Sequence, residues 1–300
     1  MNFKRVHVIV NPASGKDQPI LKTLNSVFHA AGIDWDIYVT KGGGDARRLA
    51  KEAVQARADA VAVYGGDGTV AEVAAGLFNS AMPLVLLPGG TTNATARSLG
   101  ISVELAEATK LLADPNAKVR VMDMLQVGDS YFFGVVAMGI PGEVAEKADR
   151  ESKDRWGNLA YAISAARATV HAPNSDYIIT LDGQEIHSHG VICLVLNQSA
   201  GVAHLKQPVD GADGLLDVAV FRDQNVGTVA KAAGNVILRN ENLMPIEHWQ
   251  GREVTVVSQP AQSVQADGEV LPAGSVTVRV LPGAVRFVVP GSAPGAKAKA

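Results

Sequence analysis

The chain has 300 residues, 47% of them hydrophobic and 19% charged, enough apolar material for full cores in one large or two ordinary domains. A formal net charge of −3 with a pI near 6.2, and no stretch that strings Lys and Arg together, excludes nucleic acid as a partner. The single cysteine, Cys193, excludes an internal disulfide and reads as a buried, inert thiol suited to a reducing cytoplasm.

The chain enters a strand by Phe3 without an apolar signal core. Its longest nearly uncharged apolar stretch, Tyr131 to Pro141, is about half the ~20 residues that a spanning helix needs, so neither signal peptide nor anchor is expected. Up to about residue 122, apolar runs at 4–10, 34–39, 60–64 and 84–87 alternate with helical patterns near 18–31, 44–57, 69–79 and 104–113. Connections this short imply right-handed crossovers in a parallel sheet with helices on both faces, an α/β domain spanning residues 1–122.

The strand ends carry the chemistry. The run Ala60 to Tyr64 breaks into Gly65-Gly66-Asp67-Gly68 before a helix begins at Thr69. Three glycines in four positions let backbone N–H groups approach a ligand closely, and the following helix start adds unpaired donors and partial positive charge. The pattern is a phosphate-binding turn. Asp67 inside it would repel phosphate unless a divalent cation or a hydrogen-bond donor lies between them, which points to magnesium. The run 6–10 ends in Asn11-Pro12-Ala13-Ser14-Gly15-Lys16, and the run 84–87 ends in Pro88-Gly89-Gly90-Thr91-Thr92-Asn93. In an open parallel sheet these turns line one crevice. Thr40, before Gly42-Gly43-Gly44, offers a hydroxyl to the same edge.

After residue 122 the pattern changes to short alternating runs at 122–128, 131–139, 177–181, 186–196, 215–222, 253–258, 275–280 and 284–289. Many short strands in succession mean antiparallel pairing, so residues 123–290 form a β-rich, sandwich-like second domain. Helical patterns interrupt it near 142–149, 156–171 and 226–238, and residues 291–300 read as a flexible tail. A boundary between two unlike domains is a usual place for an active-site cleft. Two acidic turns stand out. Asp210 and Asp213, three apart, could hold a hard cation together with a backbone carbonyl, and Asp267-Gly268-Glu269 places a carboxylate just past a turn. His187 and His189 share one strand face without a third ligand, and His204 lies in a loop where it could meet substrate.

Together, Asn11-Pro-x-Ser-Gly15-Lys, Gly65-Gly-Asp-Gly-Thr69, Pro88-x-Gly-Thr-x-Asn93 and Asp267-Gly-Glu269 resemble the diacylglycerol kinase catalytic family, which includes soluble bacterial lipid kinases and sphingosine and ceramide kinases. The resemblance covers residues 1 to about 290 and implies an NAD kinase/diacylglycerol kinase-like two-domain architecture. It also implies phosphoryl transfer from ATP, with Mg2+, to a lipid hydroxyl between the domains. Asn11, Pro12, Ala13, Ser14, Gly15, Thr40, Gly65, Gly66, Asp67, Gly68, Thr69, Val70, Ala71 and Thr91 would contact nucleotide. Asp67 would organise the catalytic magnesium and Glu269 would be the general base, while Asp210, Asp213 and the Leu215 carbonyl match a second, structural magnesium site. Such chemistry asks for positioning, charge neutralisation and a carboxylate near the acceptor oxygen.

One position departs from the pattern. Ala94 follows Asn93 where diacylglycerol kinases of the family usually carry Asp, which brings ceramide or another long-chain alcohol forward as acceptor. A lipid acceptor implies peripheral membrane contact through the β-rich domain, with Arg150, Lys153 and Arg155 as candidate contacts that alternate with Glu151 and Asp154. A homodimer is an admissible assembly. An NAD kinase shares the Gly-Gly-Asp-Gly-Thr turn, but it carries Asn-Glu after an apolar strand, and Asn240-Glu241 here follows a helical pattern. A Rossmann dehydrogenase lacks its acidic residue between Val73 and Val103, and a Walker-type P-loop fails at Val10 and Asp17. A lipid- or nucleotide-binding regulator without catalysis requires neither Asp67 nor Glu269.

Overall fold

The computed structural model describes residues 3–15, 18–139, 174–197, 210–222, 246–267 and 269–292. The helical patterns expected at 142–149, 156–171 and 226–238, residues Arg150, Lys153, Arg155 and His204, and most of the expected tail lie outside the described residues. Two compact units divide the chain: residues up to Met122 together with those from Gly283, and residues Asp123–Pro282.

In the first unit, β1 (Arg5–Val10), β2 (Asp34–Val39), β3 (Ala60–Gly65) and β4 (Pro83–Pro88) form a parallel sheet in the order β2-β1-β3-β4. Helices α1 (Ile20–Ala31), α2 (Asp45–Gln55), α3 (Asp67–Leu77), α4 (Ala94–Ser98) and α5 (Leu105–Lys110) connect and follow the strands. Every residue of β3 is buried, as a strand covered on both faces requires. Helix α2 buries Ala46, Leu49, Ala50 and Ala53, one stripe at 3.6-residue spacing, while Arg48 on another face pairs with Asp45 and Glu52. Helix α1 buries Leu24 and Phe28, the latter edge-on to Trp35 at 5.4 Å, and stops at Gly32 in the left-handed region.

The second unit is antiparallel. One sheet runs β12 (Ile246–Gly251), β11 (Leu216–Phe221), β10 (Ile192–Leu196), β7 (Val135–Met138), β14 (Val264–Ala266), β15 (Glu269–Leu271). The other contains β13 (Glu253–Gln259), β8 (Ser175–Leu181) and β9 (Gln184–Gly190), with β6 (Ser130–Phe132) and parts of β5 (Lys118–Val127) and β16 (Ser275–Val289). Val136, Cys193, Val195, Val218, Ile179, Val254 and Val278, drawn from both sheets, share one buried cluster, so the unit is a sandwich.

Several expected boundaries move. The run 186–196 is two strands in different sheets, because the chain changes sheet at Gly190-Val191, where a side chain on Gly190 would strike the Phe221 carbonyl. The runs 275–280 and 284–289 are one strand, β16. From Gly283 it lies in the first unit, where Arg286 and Phe287 pair in parallel with Pro83 and Leu84, whereas the sequence reading assigned these residues to the second domain. Among the described residues no helix is long and apolar enough to cross a membrane.

Candidate functional site

The order β2-β1-β3-β4 reverses direction between β1 and its two neighbours, and ligands of open parallel sheets bind outside the carboxyl ends of the strands at such a point. A cleft of about 300 Å3 opens there. Its walls include Asn11, Pro12 and Ala13 after β1, Thr40 and Gly43 after β2, and Thr69 and Glu72 from the first turns of α3. Of the residues expected to meet nucleotide, Asn11, Pro12, Ala13, Thr40 and Thr69 are thus brought together. Val70 and Ala71 are buried in α3, and Thr91 is exposed beyond β4.

Hydrogen bonds and close backbone packing hold the loops. Asn11 donates from Nδ2 to Thr69 Oγ1 at 2.9 Å and accepts the Ala13 N–H on Oδ1 at 3.0 Å. Gly15 has φ +105°, and a Cβ on it would collide with the Gly89 carbonyl; one on Gly90 would lie 2.6 Å from Gly66 Cα. Glycine is required at both positions because the loops after β1 and β3 approach the loop after β4 backbone to backbone. Thr40 is buried, its N–H donating to the Val10 carbonyl at 2.9 Å. Glu72 Oε2 accepts the Gly44 N–H at 3.0 Å and so fixes the glycine turn after β2. Glu72 and Lys41, both lining the cleft, were not singled out from the sequence; the available signal was Glu72's place one helical turn after Thr69.

Asp67 begins α3 and accepts a backbone N–H on each carboxylate oxygen. Oδ2 accepts the Ala94 N–H at 3.0 Å and Oδ1 accepts the Thr95 N–H at 2.9 Å. The donors that a carboxylate in this turn requires are therefore supplied by the backbone of α4, a helix not expected from the sequence.

In the second unit, Glu269 is exposed on β15, opposite Ala266 of β14. Asp267, in the turn between them with φ 45°, accepts N–H bonds from Phe133 and Gly134 on Oδ2 and from Val135 on Oδ1, at 2.8–3.0 Å. The motif's first acid thus clamps the turn between β6 and β7. Its signal in the sequence was shared with every Asp-Gly hairpin.

The residues expected at the second metal site, Asp210, Asp213 and Leu215, fall in and beside one turn, where the Asp213 N–H donates to the Asp210 carbonyl. Asp210 and Asp213 lie in one exposed turn, Asp213 Oδ1 accepts the Leu215 N–H at 3.0 Å, and the buried Asp123 accepts the Gly214 N–H at 2.7 Å. Desolvation in the turn, with the charges of Asp217 and Asp210 nearby, holds the Asp213 carboxyl above its usual range. Among the described residues no three His, Cys, Asp or Glu side chains are grouped to hold a metal ion. The oxygen donors in and beside this turn suit a hard cation.

A parallel α/β unit with interlocked glycine loops at its carboxyl edge, followed by an antiparallel sandwich, defines a two-domain class, and similarity to known proteins says which one. Residues 5–127 match the diacylglycerol kinase catalytic domain, and residues 134–289 match the YegS C-terminal NAD kinase beta sandwich-like domain. The chain belongs to the diacylglycerol kinase catalytic domain family. It is 29% identical over 277 residues to the diacylglycerol kinase of Bacillus subtilis (strain 168), across 89% of this chain and 90% of that protein. An uncharacterized protein of Synechocystis sp. is 25% identical over 311 residues, across 96% and 70% of the two chains. The crystal structure of a diacylglycerol kinase from Bacillus anthracis str. Sterne has a TM-score of 0.76 at 27% identity, covering 96% of this chain and 98% of that one.

Proposed function

We propose that this protein transfers the γ-phosphoryl group of ATP to the hydroxyl of a membrane lipid, either diacylglycerol or a long-chain alcohol of the ceramide and sphingoid type. The observation that carries the reading is the cleft at the carboxyl ends of β1 and β2, walled by Asn11, Thr40 and Thr69 and flanked by the glycine loops. Backbone N–H groups at strand ends and helix starts suit a polyphosphate, and the cleft volume suits part of a nucleotide. Asn11 and Thr69 are assigned to hold the nucleotide, and magnesium is the ion that accompanies its triphosphate. Glu269 is assigned as general base because it presents an exposed carboxylate in a short strand whose turn is clamped by Asp267. The acceptor resides in a bilayer, so the encounter is assigned to a membrane surface, with the protein otherwise cytoplasmic.

Gly43 lines the cleft and has open space where a side chain would stand, so Gly43→Trp adds bulk at the cleft without a backbone clash. The substitution is expected to abolish ATP binding and ATP-dependent phosphorylation of vesicle-borne lipid while leaving the circular dichroism spectrum unchanged. Undiminished ATP affinity in the variant would contradict the assignment of the cleft.

A further inference from the structure

We infer that Asn197 is a positioning residue: from the end of β10 it completes the fastening of Phe133-Gly134-Val135, the segment to which the Asp267-Glu269 hairpin is tied. The inference rests on the proposed kinase reading only for what Glu269 does; the fastening itself is a property of the second unit.

Phe133 and Gly134 link β6 to β7, and with Val135 they carry three backbone N–H groups and three carbonyls that each need a partner. Asp267 takes all three donors on its carboxylate, at 2.8–3.0 Å, and its own N–H donates to the Val135 carbonyl at 3.0 Å. The two remaining carbonyls belong to Asn197. Its side-chain Nδ2 donates to the Phe133 carbonyl at 2.9 Å, and its backbone N–H donates to the Gly134 carbonyl at 3.0 Å. Two residues on different strands thus satisfy the whole segment.

The side chain of Asn197 is held for its donors. Nδ2 also donates to the Asp123 carbonyl at 3.0 Å, and two carbonyls on one side fix which way the amide faces. Oδ1 is turned away from them, buried and without a hydrogen-bond partner. Burying an acceptor without a donor costs stability, so filling the core does not account for an amide here. Securing the segment 133–135 does.

The hairpin depends on that segment because its strands are short. β14 and β15 have three residues each, and β15 is the edge strand of its sheet, paired to β14. Asp267 sits in the turn between them, so a shift of residues 133–135 carries Asp267, and with it the Glu269 carboxylate, out of place. A general base must come within hydrogen-bond reach of the hydroxyl that it deprotonates, and small misplacements are costly in rate.

The test is Asn197→Leu, which keeps the volume and removes the side-chain donors, read by amide hydrogen exchange and by kinetics well below the urea midpoint. The inference expects the Phe133, Gly134 and Val135 amides to exchange at least tenfold faster than in wild type, with Val61 to Val63 of the first unit unchanged. With vesicle-borne lipid, kcat falls at least tenfold while the KM for ATP stays within twofold. A residue that only stabilises the fold would lower the urea midpoint and leave kcat of the folded protein as it was. Unchanged exchange across residues 133–135, or an unchanged kcat, would overturn the inference. If Asn197→Leu does not fold, Asn197→Ser, whose hydroxyl stops short of both carbonyls, is judged by the same two readings. Exchange needs no turnover: faster exchange in the variant of a protein inactive on every lipid would support the fastening and count against the kinase reading alone.

Discussion

Asn11 Nδ2 donates to Thr69 Oγ1 at 2.9 Å, joining the end of β1 to the first turn of α3 across 58 residues of chain. The bond closes one side of the cleft, and Asn11 Oδ1 at the same time holds the Ala13 N–H. Asn11→Ala breaks both bonds and is expected to weaken ATP binding about tenfold, equivalent to about 1.4 kcal/mol. Thr69→Val breaks only the bond between the two side chains and is expected to cost less. Isothermal titration with ATP on both variants checks the order; an Asn11→Ala protein binding as tightly as wild type would remove the bond from the site.

Asp267 is expected to matter for stability as well as activity. Its carboxylate receives three backbone N–H groups, and a side chain on Gly134 would stand 2.6 Å from its Oδ1, so the turn is built around it. Asp267→Ala leaves those donors without their acceptor, at a cost of about 2–3 kcal/mol. Urea unfolding should show a lower midpoint with an unchanged slope. A midpoint equal to that of the wild type would mean that the turn keeps its shape without the clamp.

These two residues mark how far the sequence could be read. The glycine turns after β1, β3 and β4 were legible because a buried strand that breaks at glycine leaves a local pattern. The parallel pairing and the four strand–helix pairs followed from periodicity and short connections, whereas the strand order did not. The partners of Asp67 and Asp267 were not legible, since each bond spans tens of residues or more and nothing local distinguishes a clamping Asp from a turn Asp or a ligand. Helix α4 was missed because its five residues, Ala94–Ser98, are too few to show a period. The break at Gly190-Val191 was hidden because Ile186 to Leu196 reads as one apolar run, although its halves pair in different sheets. The passage of β16 into the first unit depends on its pairing with β4, a nonlocal choice.

His7 gives the fold a pH dependence of known sign. It is buried on β1 against Tyr38, with ring centroids 5.0 Å apart; its Nε2 stands 3.6 Å from Asp36 Oδ2, beyond hydrogen-bond reach. Burial holds its pKa below the ordinary 6.5, with Arg5 acting in the same direction and Asp36 opposing. Above about pH 6.5 the imidazole is neutral in both states and adds no slope. Below that the unfolded chain takes up a proton that the native state resists, so stability falls as pH falls toward and through the folded pKa. His7→Phe keeps a ring against Tyr38 and should flatten this part of the curve, by at most about 1.4 kcal/mol per pH unit. Identical pH profiles for variant and wild type between pH 5 and 7 would contradict it.

Cys193 lies in the sandwich core between β7 and β11, and burial pushes its thiol up to about 12. The thiolate is the reactive form, so the native protein should resist a thiol-reactive chromogen at pH 8 for hours, while protein in denaturant reacts within minutes. Rapid labelling of native protein would show that the sandwich opens at β10.

Phosphoryl transfer from ATP to a lipid is tested most directly by its product. Protein, magnesium and ATP labelled at either the γ- or the α-phosphate are incubated with vesicles carrying diacylglycerol, ceramide or sphingosine, or with soluble NAD, and products are partitioned into organic solvent. Transfer to lipid predicts label in an organic-soluble lipid phosphate from γ-labelled ATP alone, lost in Glu269→Gln. Label appearing only in NAD, or no transfer to any lipid by protein that binds ATP, would contradict it.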